Sequence, residues 1–153
     1  MLQRIQTIYL SIALILTSAL FYTKLVTLST GKTLYTMFYN GVFTGEANSG
    51  GPVMDMLAFT ILLFVSIVLG VITIFMFKKR LLQIRIAALN IGLQIGLTAL
   101  IYFFAKTAGR ELDAVYSFHY SMVFPLISVI LLIMAIKAIG KDEALIRSMD
   151  RIR

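Results

Sequence analysis

The chain of 153 residues contains no cysteine, which excludes disulfides, thiolate metal sites, iron-sulfur clusters and cysteine nucleophiles. Charge is scarce as well: 14% of the residues are charged against 59% hydrophobic, and only seven are acidic. A soluble chain of this length cannot hide so much apolar surface in a core. With a mean hydropathy of +0.93, the sequence reads as an integral membrane protein with lipid as its surrounding solvent. His119 is the only histidine, so a multi-histidine metal site is excluded. A phosphate-binding Gly-rich loop, an H-E-x-x-H pair, a G-x-S-x-G elbow and paired carboxylates on one membrane face are all missing. No catalytic residue, cofactor-binding residue or metal ligand is nominated, and neither enzyme activity nor a cofactor is expected.

What is present is four apolar runs, at about 5–22, 57–77, 86–105 and 116–136. The first, "IQTIYLSIALILTSALFY", is close to the shortest stretch that crosses the roughly 30 Å hydrocarbon layer. A signal peptide is the alternative, but the run exceeds the usual h-region, and Arg4 is the only charge before it. The second run ends abruptly at Lys78-Lys79-Arg80 and is the clearest span. The fourth carries His119 near its start and Pro125 inside. The expected fold is an all-α membrane protein, one domain over residues 1–153 built as a bundle of four transmembrane helices. The outer loop 23–56 alternates polar with apolar residues around Ser29-Thr30-Gly31-Lys32, which predicts a small extracytoplasmic β-hairpin. Its Tyr35, Phe38, Tyr39 and Phe43 suit a membrane interface. A helical turn is expected at "RELDAVYSF" in the second outer loop.

Lysine and arginine counted by loop set the orientation. With the N-terminus cytoplasmic, ten cations fall inside and four outside (Lys24, Lys32, Lys106 and Arg110). Four acids fall outside and three inside, so the whole formal charge of +7 lies on the cytoplasmic side. Both termini are therefore expected in the cytoplasm, and the charge is explained without nucleic acid. The basic patch is Arg4, Lys78, Lys79, Arg80 and Arg85. The tail 140–153 is nearly neutral and reads as a short amphipathic C-terminal helix bending away at Gly140. Its Leu145, Arg147, Met149, Asp150, Arg151 and Ile152 form a candidate partner-docking surface. Docked beneath the bundle, its Asp142, Glu143 or Asp150 would pair with the basic patch.

The third run holds two four-residue periodicities. Ala88, Gly92 and Gly96 form a small-residue strip for close helix packing, and Asn90 and Gln94 form a polar face on the other side. Buried amides need partners. They bond either to hydroxyls of neighbouring helices, among them Ser66, Thr73, Ser128 and Ser11, or to a substrate or ion. His119, crowded by Tyr116, Phe118 and Tyr120, reads as an ordinary hydrated side chain or as a proton sensor. No ionisable group lies near the centre of a span, which argues against a proton-coupled or ion-coupled carrier.

Three stretches at the cytoplasmic edge, "MLQRIQTIYL", "KKRLLQIRIAALN" and "AIGKDEALIRSMDRIR", carry a resemblance to a family of small Bacteroidetes membrane proteins, domain of unknown function 4293. The resemblance implies four transmembrane helices and an inner-membrane location, and it brings no catalytic residues. The expected role is a small accessory or assembly subunit in the inner membrane, binding other membrane or cytoplasmic proteins or forming a homo-oligomer within the lipid bilayer. The alternative is a small-molecule or lipid carrier or channel that uses the polar face of the third helix.

Overall fold

The computed structural model describes residues 2–31, 33–45, 52–77 and 79–150, with side chains over 5–144 of these. Helix α1 (Leu2–Ala19) leads into strands β1 (Val26–Ser29), β2 (Leu34–Phe38), β3 (Gly41–Thr44) and β4 (Met54–Asp55). Helix α2 (Leu57–Phe75), helix α3 (Arg80–Glu111), strand β5 (Val115–Phe118), a 3-10 turn (Tyr120–Val123) and helix α4 (Phe124–Asp150) follow.

All four helices turn inward a line of residues spaced alternately by four and three, the spacing of left-handed bundle packing. The line is Gln6, Leu10, Ala13 and Thr17 in α1, and Phe59, Leu63, Ser66, Gly70 and Thr73 in α2. In α3 it is Gln83, Ala87, Asn90, Gln94, Leu97 and Ile101, and in α4 it is Ser128, Leu132, Ala135, Ile139 and Asp142. Neighbours in the ring are α1 with α2, α2 with α3, α3 with α4, and α4 with α1. The outer faces are strongly apolar, with Ile15, Phe64, Phe103 and Ile130 each about 60% exposed. An apolar outside around a partly polar inside is the arrangement that lipid favours and water does not.

Three of the helices are long and apolar enough to cross a membrane: Leu57–Phe75, Arg80–Glu111 and Tyr120–Ala144. Nineteen residues of α2 reach about 28 Å, one hydrocarbon thickness. Helix α3, with 32 residues, overshoots that depth, and its charged ends Arg80, Arg85, Lys106, Arg110 and Glu111 flank an uncharged middle. The part of α1 with described side chains, Ile5–Ala19, is a shorter apolar helix, so the expected bundle of four transmembrane helices is corrected to four helices of which three are long and apolar enough to span.

The all-α expectation is corrected by the sheet, which is antiparallel and five-stranded in the order β4-β3-β2-β1-β5. The expected hairpin is only its β1–β2 pair, with Gly31 at φ 78° in the connection. The fourth run, expected to be helical from Tyr116, instead begins as β5. Val115, Tyr116, Ser117 and Phe118 pair with Ser29, Leu28, Thr27 and Val26. Three of its four residues, Val115, Tyr116 and Phe118, are β-branched or aromatic, and such side chains fit a pleated surface better than an exposed helical turn. Of the helical turn expected at "RELDAVYSF", Arg110 and Glu111 end α3 and the last four residues are β5. Before it, α3 closes with Asp113 in the left-handed region at φ 47°, and the Ala114 N–H bonds the Gly109 carbonyl at 2.9 Å. This six-residue closure redirects the chain into the sheet. At the other end, α4 runs unbroken through Gly140 to Asp150, so the tail continues α4 and is not a separate helix.

The sheet lies across one end of the ring. Val26, Leu28, Met37 and Val42 from its inner face join Leu20, Phe59, Leu63, Leu97, Ile101, Ala105 and Ala108 in one buried cluster. Gly41 is where β3 and β4 pass closest: a Cβ there would stand 2.8 Å from the Met54 carbonyl oxygen. A second cluster, Leu10, Ala13, Ala87, Leu132 and Ala135, fills the half of the bundle away from the sheet.

Candidate functional site

Between these two apolar clusters lies a polar layer to which all four helices contribute. Gln94 of α3 donates through Nε2 to Thr17 Oγ1 of α1 at 2.6 Å and to Ser66 Oγ of α2 at 3.1 Å. The Ser66 hydroxyl donates to Asn90 Oδ1 at 2.7 Å. Thr17 donates to the Ala13 carbonyl at 2.9 Å, and Ser128 of α4 donates to the same carbonyl at 3.3 Å. The bundle is thus joined across its diagonal from α3 to α1 as well as around its rim. Gln94 and Ser66 are each 1% exposed and Ser128 is fully buried, so each bond forms where water does not compete for it. The inward spacing explains why these residues meet, since each occupies the same level of its helix's buried line.

The structure brings Asn90 and Gln94 together with Ser66 among the hydroxyls anticipated for them, while Ser128 bonds the Ala13 carbonyl of α1 and neither amide. The first-helix hydroxyl is Thr17, not Ser11, while Thr73 donates back to Leu69 of its own helix. Thr17 lies on the buried Gln6, Leu10, Ala13 line of α1. Gly92 opens on nothing within 4 Å, and Ala88 is exposed, whereas Gly96 receives Leu62 of α2 at 3.3 Å from a built Cβ. The amide face of α3 packs inward and most of the small-residue strip faces out.

A second polar level closes the end away from the sheet. Asp142, 7% exposed, accepts from Gln6 Nε2 at 2.5 Å, and Gln83 Nε2 donates to the Thr73 carbonyl at 3.0 Å. Asp142 therefore bonds an amide of α1, where the sequence pointed to a cation of the basic patch. Within that patch Lys79 and Arg85 are exposed, while Arg80 is half-buried with its Nη1 unpartnered among the described residues. The side chains of Arg4, Leu145, Arg147, Met149 and Asp150, and residues Lys78, Arg151 and Ile152, lie outside the described part, so the docking tail and much of the patch do too. Among the described residues, no group of three or more His, Asp or Glu is placed to hold a metal.

At the sheet end, His119 Nε2 lies 2.7 Å from Thr27 Oγ1, and the backbone N–H of His119 donates to the Leu25 carbonyl at 3.1 Å. Because antiparallel pairing alternates, that bond directs Ser117 and Val115 to β1 and leaves the backbone groups of Tyr116 and Phe118 at the open edge. Tyr102 stacks on Phe118, Tyr116 meets Phe118 edge-on, and Lys106 stands 6.0 Å over Tyr102. An open strand edge is intolerable in hydrocarbon, and aromatic side chains of the kind grouped beside it suit the level of lipid headgroups and water.

The family model described as Domain of unknown function (DUF4293) matches residues 2–152, almost the whole chain. The chain belongs to this family. No curated protein matches it. The match takes in both polar levels and the sheet, so for this member of the family the architecture is a helical ring with apolar, membrane-compatible helices and a five-stranded cap.

Proposed function

We propose that the protein is a small accessory or assembly subunit of the inner membrane, with both termini in the cytoplasm and the sheet on the opposite side, and that it works by binding other membrane or cytoplasmic proteins. One observation carries this reading: Asn90 and Gln94, at the centre of the bundle, are each engaged by hydroxyls of neighbouring helices. Asn90 and Gln94 hold α2 and α1 through Ser66 and Thr17, and the cavity beside them measures about 10 Å³, room for a single water and for no larger molecule. A carrier or channel using this face of α3 would need those amides free and the space wider. The surfaces left for recognition are the ends. The sheet end offers the uncharged edge strand β5, with Val115 79% exposed, and the opposite end offers the basic residues and the tail.

Photo-crosslinking residues placed at Val115 and at Arg151 in native membranes test the proposal. A single heterologous protein captured in stoichiometric yield from either position is the expected result. A monomer that copurifies with a bound small molecule or lipid, and loses it when Asn90 and Gln94 are replaced by leucine, would overturn the proposal in favour of the carrier.

A further inference from the structure

The hydrogen bonds around Gln94 leave one of its atoms without a partner among the described residues. A hydroxyl has one hydrogen to give. Thr17 gives its hydrogen to the Ala13 carbonyl at 2.9 Å, Ser66 to Asn90 Oδ1 at 2.7 Å, and Ser128 to the Ala13 carbonyl at 3.3 Å. Thr17 and Ser66 can therefore only accept from Gln94, which turns its NH2 group toward them and its Oε1 away. That oxygen belongs to a side chain 1% exposed and has no hydrogen-bond partner among the described residues. Buried amide oxygens are rarely left without a donor.

Gln94, Thr17, Ser66 and Asn90, together with Leu14 and Gly70, line the cavity of about 10 Å³, close to the least space that holds one water. Gly70 keeps it open, since a Cβ there would stand 3.0 Å from Leu14 Cδ1 and 3.7 Å from Asn90 Nδ2. The Nδ2 group, a donor, thus borders a space that Gln94, whose oxygen needs one, also lines.

We propose that this cavity is a binding site for one water molecule, which donates to Gln94 Oε1 and accepts from Asn90 Nδ2. The water completes the polar layer by bridging two amides one turn apart on α3, in a space that α1 and α2 also line. A sodium ion would also find neutral oxygens here, but no acidic side chain lines the cavity. Its charge would stand uncompensated in an apolar bundle. Water balances both the hydrogen bonds and the charge.

The test uses the full chain in lipid nanodiscs, with Gly70→Ala, Gln94→Met and the double variant. Gly70→Ala fills the site. The expected result is a lower unfolding midpoint for Gly70→Ala when Gln94 is present, and no drop when the same change is made in the Gln94→Met protein. A nuclear Overhauser effect from water to the Asn90 side-chain amide is expected in the unaltered protein. An equal drop in both backgrounds would mean that the added methyl group merely strikes Leu14, and would overturn the proposal. So would a midpoint raised by sodium but not by choline chloride and made indifferent by Gln94→Met, which is the signature of a cation. Should Gly70→Ala fail to fold, the water contact in the unaltered protein decides alone, and its absence refutes the site.

Discussion

The bond between Ser66 and Asn90 is the sharpest place to measure what the polar layer contributes. The two side chains are 1% and 4% exposed and lie 2.7 Å apart on adjacent helices. Ser66→Ala removes the donor to Asn90 Oδ1 and one of the two acceptors of Gln94 Nε2. An unsatisfied buried group costs about 1–3 kcal/mol, and hydrogen bonds between membrane helices are worth about 0.6 kcal/mol on average and about 1.7 at most. A loss of about 1.5 kcal/mol is expected for Ser66→Ala. Asn90→Leu leaves the serine without its acceptor, but a helical serine can turn to the carbonyl four residues back, so about 1 kcal/mol is expected. If the bond is real, the double variant loses less than the two singles together, by about 1 kcal/mol, because the second change finds the interaction already gone. Equilibrium unfolding in mixed micelles of dodecyl maltoside and dodecyl sulfate, followed by circular dichroism, supplies the four numbers. A coupling below about 0.3 kcal/mol is indistinguishable from additivity and would refute the view that these helices are joined by this bond.

Asp142→Ala should destabilise the same bundle by about 1–3 kcal/mol by stranding the Gln6 amide, with Asp142→Asn costing clearly less because it keeps an acceptor; the same micelle titration measures both. Gly41→Ala drives a Cβ into the Met54 carbonyl oxygen at 2.8 Å, so the β3–β4 pairing should open and the Val53 amide, bonded to the Val42 carbonyl at 2.8 Å, should lose protection in hydrogen exchange. Asp113→Gly should raise stability by up to about 1 kcal/mol, since Asp113 holds a left-handed conformation that glycine adopts without steric cost; a thermal midpoint unchanged or lowered would contradict this.

The sequence by itself determined the membrane-compatible character of the helices and the inward face of α3. Leu57–Phe75 is long and apolar enough to span without reference to any neighbour, because the cost of burying charge in hydrocarbon acts residue by residue. The same logic picked out Asn90 and Gln94 as amides that must bond something, and Ser66 and Ser128 as groups able to receive them. Tertiary structure alone decided the rest. "VYSF" reads equally as the start of a span or as a strand, and its β state follows from β1, 86 to 92 residues earlier in the chain, offering an edge to pair with. Thr17, rather than Ser11, reaches Gln94 because the packing of α1 against α4 and α2 fixes its rotation. Asp142 bonds Gln6 and not a cation because α4 continues straight through Gly140 and carries the carboxylate to the buried side of the ring. Local composition settles which residues leave water, but strand partners and helix rotation depend on contacts between distant segments, and these form only when the whole ring closes under its sheet.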